Sequence, residues 1–117
     1  MVAYNFQARF APMVEDGRKR QTIRALRKDG RHAKVGDALQ LYTGMRTKAC
    51  RKLVDPDPTC VSASPVVIDE NGIAGPNLVG IAPDQFALDD GFSCFDEMRA
   101  WLRETHGLPF HGVLIDW

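Results

Sequence analysis

Cysteine is scarce in this chain of 117 residues. Only Cys50, Cys60 and Cys94 are present, and no CxxC spacing occurs. An odd number without that spacing argues against a disulfide framework and against a zinc ribbon. No stretch approaches the ~20 apolar residues that a membrane span needs. The opening residues MVAYNFQARF lack a long apolar core, so no signal peptide and no membrane partner are expected. A reducing, cytoplasmic compartment fits these absences. Histidine is also sparse: His32, His106 and His111 are scattered, and the last two straddle a helix end and a proline. That is not a ligand spacing, so no metal and no cofactor are expected. No Ser-His-Asp arrangement is visible, and no cysteine has an evident histidine partner.

Positive charge is nearly missing from one half of the chain. Residues 53–117 contain only Arg99 and Arg103 against 11 Asp or Glu. Residues 1–52 contain 13 Lys or Arg against Glu15, Asp16, Asp29 and Asp37. The net formal charge of zero therefore hides halves of +9 and −9. Such asymmetry points to an anionic partner such as RNA or a nucleotide, or to two halves that complement each other in the fold.

The length suits one domain, residues 1–117, with a core that needs no staple. Val2–Phe10 reads as a strand and 11–16 as one or two helical turns stopped by Gly17. Arg20–Ala25 reads as a second strand, with Arg20, Thr22 and Arg24 on one face and Gln21, Ile23 and Ala25 on the other. Ile23 is expected in the core, which turns Thr22 and Arg24 toward a surface or cleft. After a polar loop, Ala38–Thr43 reads as a third strand and Thr47–Val54 as a fourth. The Asp55-Pro56-Asp57-Pro58 run breaks the chain. Thr59–Ile68 follows as a strand in which Pro65 implies an edge or a bulge. Asp69-Glu70-Asn71-Gly72 is a hairpin turn signal, and Ile73–Ile81 has room for one short strand. Two helices come next, over Ala82–Asp90 and from a capping box of Ser93 and Asp96 to Gly107. The second has the apolar stripe Phe95, Met98, Trp101 and Leu102. Phe110–Trp117 is a final strand. This order implies an α+β fold, a small β-barrel with packed helices; the sequence does not give the oligomeric state, and a monomer is the expectation.

Two basic clusters carry the candidate chemistry. The first is GRKRQTIR at 17–24. It has one glycine and does not match the GxxxxGK[ST] phosphate loop. It is open to three readings: a solvated face, an anion-binding strand, or a catalytic site. In the last, Lys19 would be a base for the Thr22 hydroxyl, its pKa lowered by burial or by Arg18 and Arg20 beside it. Strand alternation separates Lys19 from Thr22, so Lys19 belongs in the turn after Gly17 or at a bulge. The second cluster, Arg46, Lys48, Arg51 and Lys52, follows Tyr42. Basic residues interleaved with an aromatic suit either surface solubility or a phosphodiester with a stacked base. If the two strands are neighbours, the clusters form one positive face. Asp89-Asp90 ends a helix, where negative charge is disfavoured. It is either an exposed turn or an acid facing a basic cleft.

These stretches resemble the ASCH domain family, of the PUA-like superfamily. Its hallmark, G-x-K-x-x-x-x-R, is matched by Gly17, Lys19 and Arg24. A Gly-Asp turn and strand are matched by VGDALQLYTG at 35–44, and the closing segment DGFSCFDEMRAWLRETHG is also similar. The resemblance implies a PUA-like β-barrel with a cleft beside the first motif. It implies binding of RNA or a nucleoside, for which the two basic clusters offer Arg18, Arg20, Arg24, Tyr42, Arg46 and Lys48 as the expected contacts. One branch of the family hydrolyses N4-acetylcytidine and resembles G-R-K-T-I-T-I-R. Carried over, its catalytic lysine falls on Lys19, its threonine on Thr22, and its glutamate on Asp90 in Ala87-Leu88-Asp89-Asp90. An enzyme of this kind would be a hydrolase of a C–N amide bond in a modified nucleoside. A ribonuclease is a further alternative. The departures are Asp90 in place of glutamate, and Arg20 and Gln21 in place of threonine and isoleucine.

Overall fold

The computed structural model describes residues 2–117. The elements run β1 (Val2–Phe6), α1 (Ala11–Glu15), β2 (Gln21–Ala25), β3 (Leu39–Thr43), β4 (Arg51–Lys52), β5 (Ser62–Asp69), β6 (Gly72–Ala74), α2 (Pro83–Asp89), α3 (Phe95–Thr105) and β7 (Phe110–Asp116). The α+β class is as expected. The closed barrel is not: the strands form two open sheets, β1-β3-β4 and β2-β7-β5-β6. β1 and β3 pair in parallel, while β2 and β5 flank β7 antiparallel. The break between the sheets follows from β4, which is only two residues long and ends the first sheet at Lys52.

Between the sheets lies a core built from alternating strand positions and one face of each long helix. Ser64, Val66 and Ile68 of β5 are buried while Pro65 and Asp69 are not. Tyr4 and Phe6 of β1, Leu39 and Leu41 of β3, and Met98 and Leu102 of α3 fill the interior. Pro65 lies opposite Val113 of β7, but β6 reaches only to Val67, so Pro65 sits where β5 has a single neighbour. A proline is tolerated there because one side of the strand has no ladder to complete. No helix among the described residues is long and apolar enough to cross a membrane.

Four local expectations change. Strand Thr47–Val54 shrinks to Arg51–Lys52, because 44–50 is a turn. Gly44 and Arg46 have positive φ, and Thr47 closes the turn on the Gly44 carbonyl through both its N–H and its hydroxyl. The Ser93–Asp96 capping box does not form. Cys94 is the N-cap, without a side-chain cap bond. Asp84 of α2 accepts from the Phe95 N–H at 2.9 Å instead, and Glu97 accepts from the Ser93 N–H at 3.2 Å. Ile23 is only half-buried, whereas Thr22 and Gln21 are buried. Ile23 packs against the core, and Thr22 and Arg24 face the cleft described below. Finally, β2 and β4 belong to different sheets, so the two basic clusters do not lie on neighbouring strands.

Candidate active site

The short helix α1 and the turn after it set up the site. Gly17 takes φ +83, a left-handed conformation open to glycine. The chain then turns back, and the Lys19 N–H donates to the Met13 carbonyl at 2.9 Å. Lys19 therefore precedes β2 instead of alternating within it, and its side chain enters the protein with 3 % exposure. Its Nζ donates to the Asp90 backbone carbonyl at 2.5 Å and lies 3.4 Å from Asp90 Oδ1. Asp90 caps the C-terminus of α2 and is itself 4 % exposed. A cation at a helix C-terminus satisfies its carbonyl end and offsets the acidic side chain there. Asp89, next to it, is exposed.

Thr22 and Arg24 project from the same face of β2. Arg24 Nε donates to Thr22 Oγ1 at 3.1 Å, and its Nη2 donates to the Asn5 carbonyl at 2.9 Å. The guanidinium stacks 4.9 Å from the Phe6 ring centroid and 5.0 Å from that of Tyr4. Lys19 Nζ lies 5.1 Å from the Phe10 ring centroid. All three distances are in the range of cation–π attraction. A cleft of about 320 Å³ brings Lys19, Thr22, Arg24 and Asp90 together, walled by Phe6, Phe10, Phe92 and Trp101. Phe10, Phe92 and Trp101 pack edge-on or tilted at centroid distances of 5.4–6.4 Å. The volume is at the small end of ligand sites.

Desolvation governs the electrostatics. Burial pulls the Lys19 ammonium below its ordinary value, with Asp90 pulling it back up and Arg24 adding to the fall. Burial pushes the Asp90 carboxyl up, opposed by Lys19, Gln21 and Arg24. The two groups therefore approach each other in proton affinity and titrate as a pair. Arg24 is drawn down to about 10, again mainly by burial. No hydrogen bond joins Lys19 Nζ to Thr22 Oγ1 among the described residues. The hydroxyl instead accepts from Arg24, which places the guanidinium beside it in the cleft.

The other candidate contacts lie outside this cleft. Arg18 is exposed and bound to Asp16 at 2.7 Å, and Arg20 lines a separate recess with Gln21, Asp89 and Asp116. Tyr42 is half-buried on β3, and Arg46 and Lys48 are exposed in the 44–50 turn. Arg51 pairs with Glu15 and Lys52 with Asp57. The aromatic wall and Gln21 were not among the sequence candidates. Gln21 had a signal: an amide on a strand face assigned to the core must find a buried partner. That partner is Asp90 Oδ1, at 3.3 Å. Among the described residues, no group of His, Cys, Asp or Glu is arranged to hold a metal.

No family model, no curated protein and no solved structure matches the chain.

Proposed function

We propose that this chain is an ASCH-type domain, an open two-sheet form of the PUA-like barrel, and that its cleft binds and deacylates an N-acylated nucleobase or nucleoside. The observation that carries this reading is the meeting of a desolvated Lys19–Asp90 pair with the Thr22 hydroxyl in one aromatic-walled cleft. A structural ion pair needs no hydroxyl nucleophile beside it, and a phosphate-binding patch needs no buried acid. Perturbed groups in a cleft are where catalysis is sought first.

In the proposed reaction the base stacks among Phe10, Phe92 and Trp101 with its acyl carbonyl at Thr22. The neutral Lys19 amine takes the hydroxyl proton as Oγ1 attacks the carbonyl carbon. Arg24 stabilises the negative charge that develops. The C–N bond breaks as Asp90 delivers a proton to the leaving nitrogen. Water, deprotonated by the Asp90 carboxylate, then attacks the Thr22 ester carbonyl. The C–Oγ1 bond breaks as the Lys19 ammonium returns its proton to Oγ1, which releases the carboxylic acid and restores the hydroxyl, the amine and the protonated Asp90. The Lys19–Asp90 pair holds one shared proton at the start, either as ammonium and carboxylate or as amine and acid. The reaction draws on the second form. Catalytic contacts commonly tighten only with substrate bound, which allows for the Lys19–Thr22 contact that is open here.

Incubation with N4-acetylcytidine and chromatography for cytidine tests the reading. Cytidine release that depends on Lys19 supports it. Absence of release by the wild type, or release that survives Lys19→Ala, overturns it. RNA binding is the second reading, favoured by the exposed Arg18 and Arg20 that line the recess beside Gln21. It requires binding to single-stranded RNA that weakens steeply with salt.

A further inference from the structure

Gln21 is a buried amide that the proposed reaction does not use. Its backbone pairs with Asp116 of β7 at the start of β2, and its side chain is 9 % exposed. Nε2 donates to Asp90 Oδ1 at 3.3 Å, the same oxygen that faces Lys19 Nζ at 3.4 Å. Oδ2 accepts no hydrogen bond among the described residues. Gln21 lines the recess formed with Arg18, Arg20, Asp89 and Asp116, and Asp90 does not. Asp90 lines the catalytic cleft, and Gln21 does not. The amide therefore stands between the carboxyl and the surface on the side away from the cleft.

We propose that Gln21 is a positioning residue that pins Asp90 Oδ1 between itself and Lys19, closes the carboxyl off from the rear recess, and leaves Oδ2 as the oxygen that serves the cleft. This rests on the reading of Asp90 as the acid of the reaction. Aspartate has one rotatable bond fewer than glutamate between backbone and carboxyl, so its plane is set by what holds its oxygens. The amide hydrogen bond and the ammonium facing the same oxygen set that plane, and an amide donor favours the ionised form. The charged groups acting on this carboxyl are Lys19 and Arg24. It in turn acts, together with Asp89, on Asp116 of β7.

The test uses carboxyl ¹³C NMR titration of the wild type and of Gln21→Met, which keeps the length and removes the donor. The Asp90 midpoint moves to higher pH in the variant if the amide stabilises the anion. An unchanged midpoint overturns the proposal. Should Gln21→Met fail to fold, the wild type still decides it. The Gln21 side-chain ¹⁵N–¹H resonances titrate with the Asp90 midpoint, or they stay flat and the proposal falls. In N4-acetylcytidine hydrolysis, Gln21→Met moves the acid limb of the rate profile upward, where mere loosening of the fold would lower the rate at every pH. Absence of hydrolysis by the wild type would remove the catalytic reading, and the carboxyl titration would still decide whether Gln21 holds Asp90.

Discussion

The two basic clusters use the same residue types and end in opposite environments. In 17–24, Lys19 is buried against Asp90 and Arg24 is sandwiched with Tyr4 and Phe6. In 46–52, every Lys and Arg is exposed, and Arg51 and Lys52 make surface pairs with Glu15 and Asp57. Charge density does not distinguish the two clusters; desolvation does. Removing water shifts the proton affinities of Lys19 and Asp90 toward each other, whereas the exposed pairs keep their solvent.

The largest expected contrast is catalytic. Lys19→Met and Thr22→Val should each lower N4-acetylcytidine turnover by on the order of 10²–10⁴-fold, as loss of a general base or nucleophile does. Arg46→Ala and Lys48→Ala should leave turnover unchanged. A comparable loss in both sets would break the comparison. Stability comes next. Asp90→Ala leaves the buried Lys19 ammonium without its counter-charge, which costs about 3–5 kcal/mol in denaturant titration. Glu15→Ala, at the exposed Arg51 pair, should leave the denaturation midpoint essentially where it is. Arg24→Gln removes the guanidinium charge beside Thr22 and should lower the rate by on the order of 10²-fold, as loss of an oxyanion donor does, with little change in KM.

The smallest effect, and the one that sharpens the comparison most, is on pH. The reactive form of the Lys19–Asp90 pair holds one proton. Activity should fall at low pH as the pair gains a second proton and at high pH as it loses its last. The raised Asp90 places the acid limb above the usual carboxylate range, and the lowered Lys19 places the alkaline limb below the usual lysine value. Limbs at the ordinary values of both groups would mean a solvated pair.

Part of this site was legible in the chain. Gly17 marked the turn that sets Lys19 apart from the strand, and period-two alternation grouped Thr22 with Arg24. Local chemistry suffices for both. Asp90 was not separable from an exposed acidic turn, because its partner Lys19 lies 71 residues away. The aromatic wall was hidden for the same reason: Phe10, Phe92 and Trp101 come from different segments, and Trp101 read simply as part of a core stripe. The cap of α3 failed as a local reading because Asp84, eleven residues earlier, supplies it across the α2–α3 corner. The shortening of β4 turned on the 44–50 turn, where a positive φ at Arg46 left no signal in residue type.

The central claim is that the first cluster is a reactive centre and not a solvated face. The most direct measurement is acid-quenched turnover of N4-acetylcytidine, with peptide mass mapping of the protein at early times. The account predicts one acetyl group on the peptide carrying Thr22, and no such adduct in Lys19→Met. Thr22 free of acetyl at every time, with cytidine release by Thr22→Val at the wild-type rate, would contradict it.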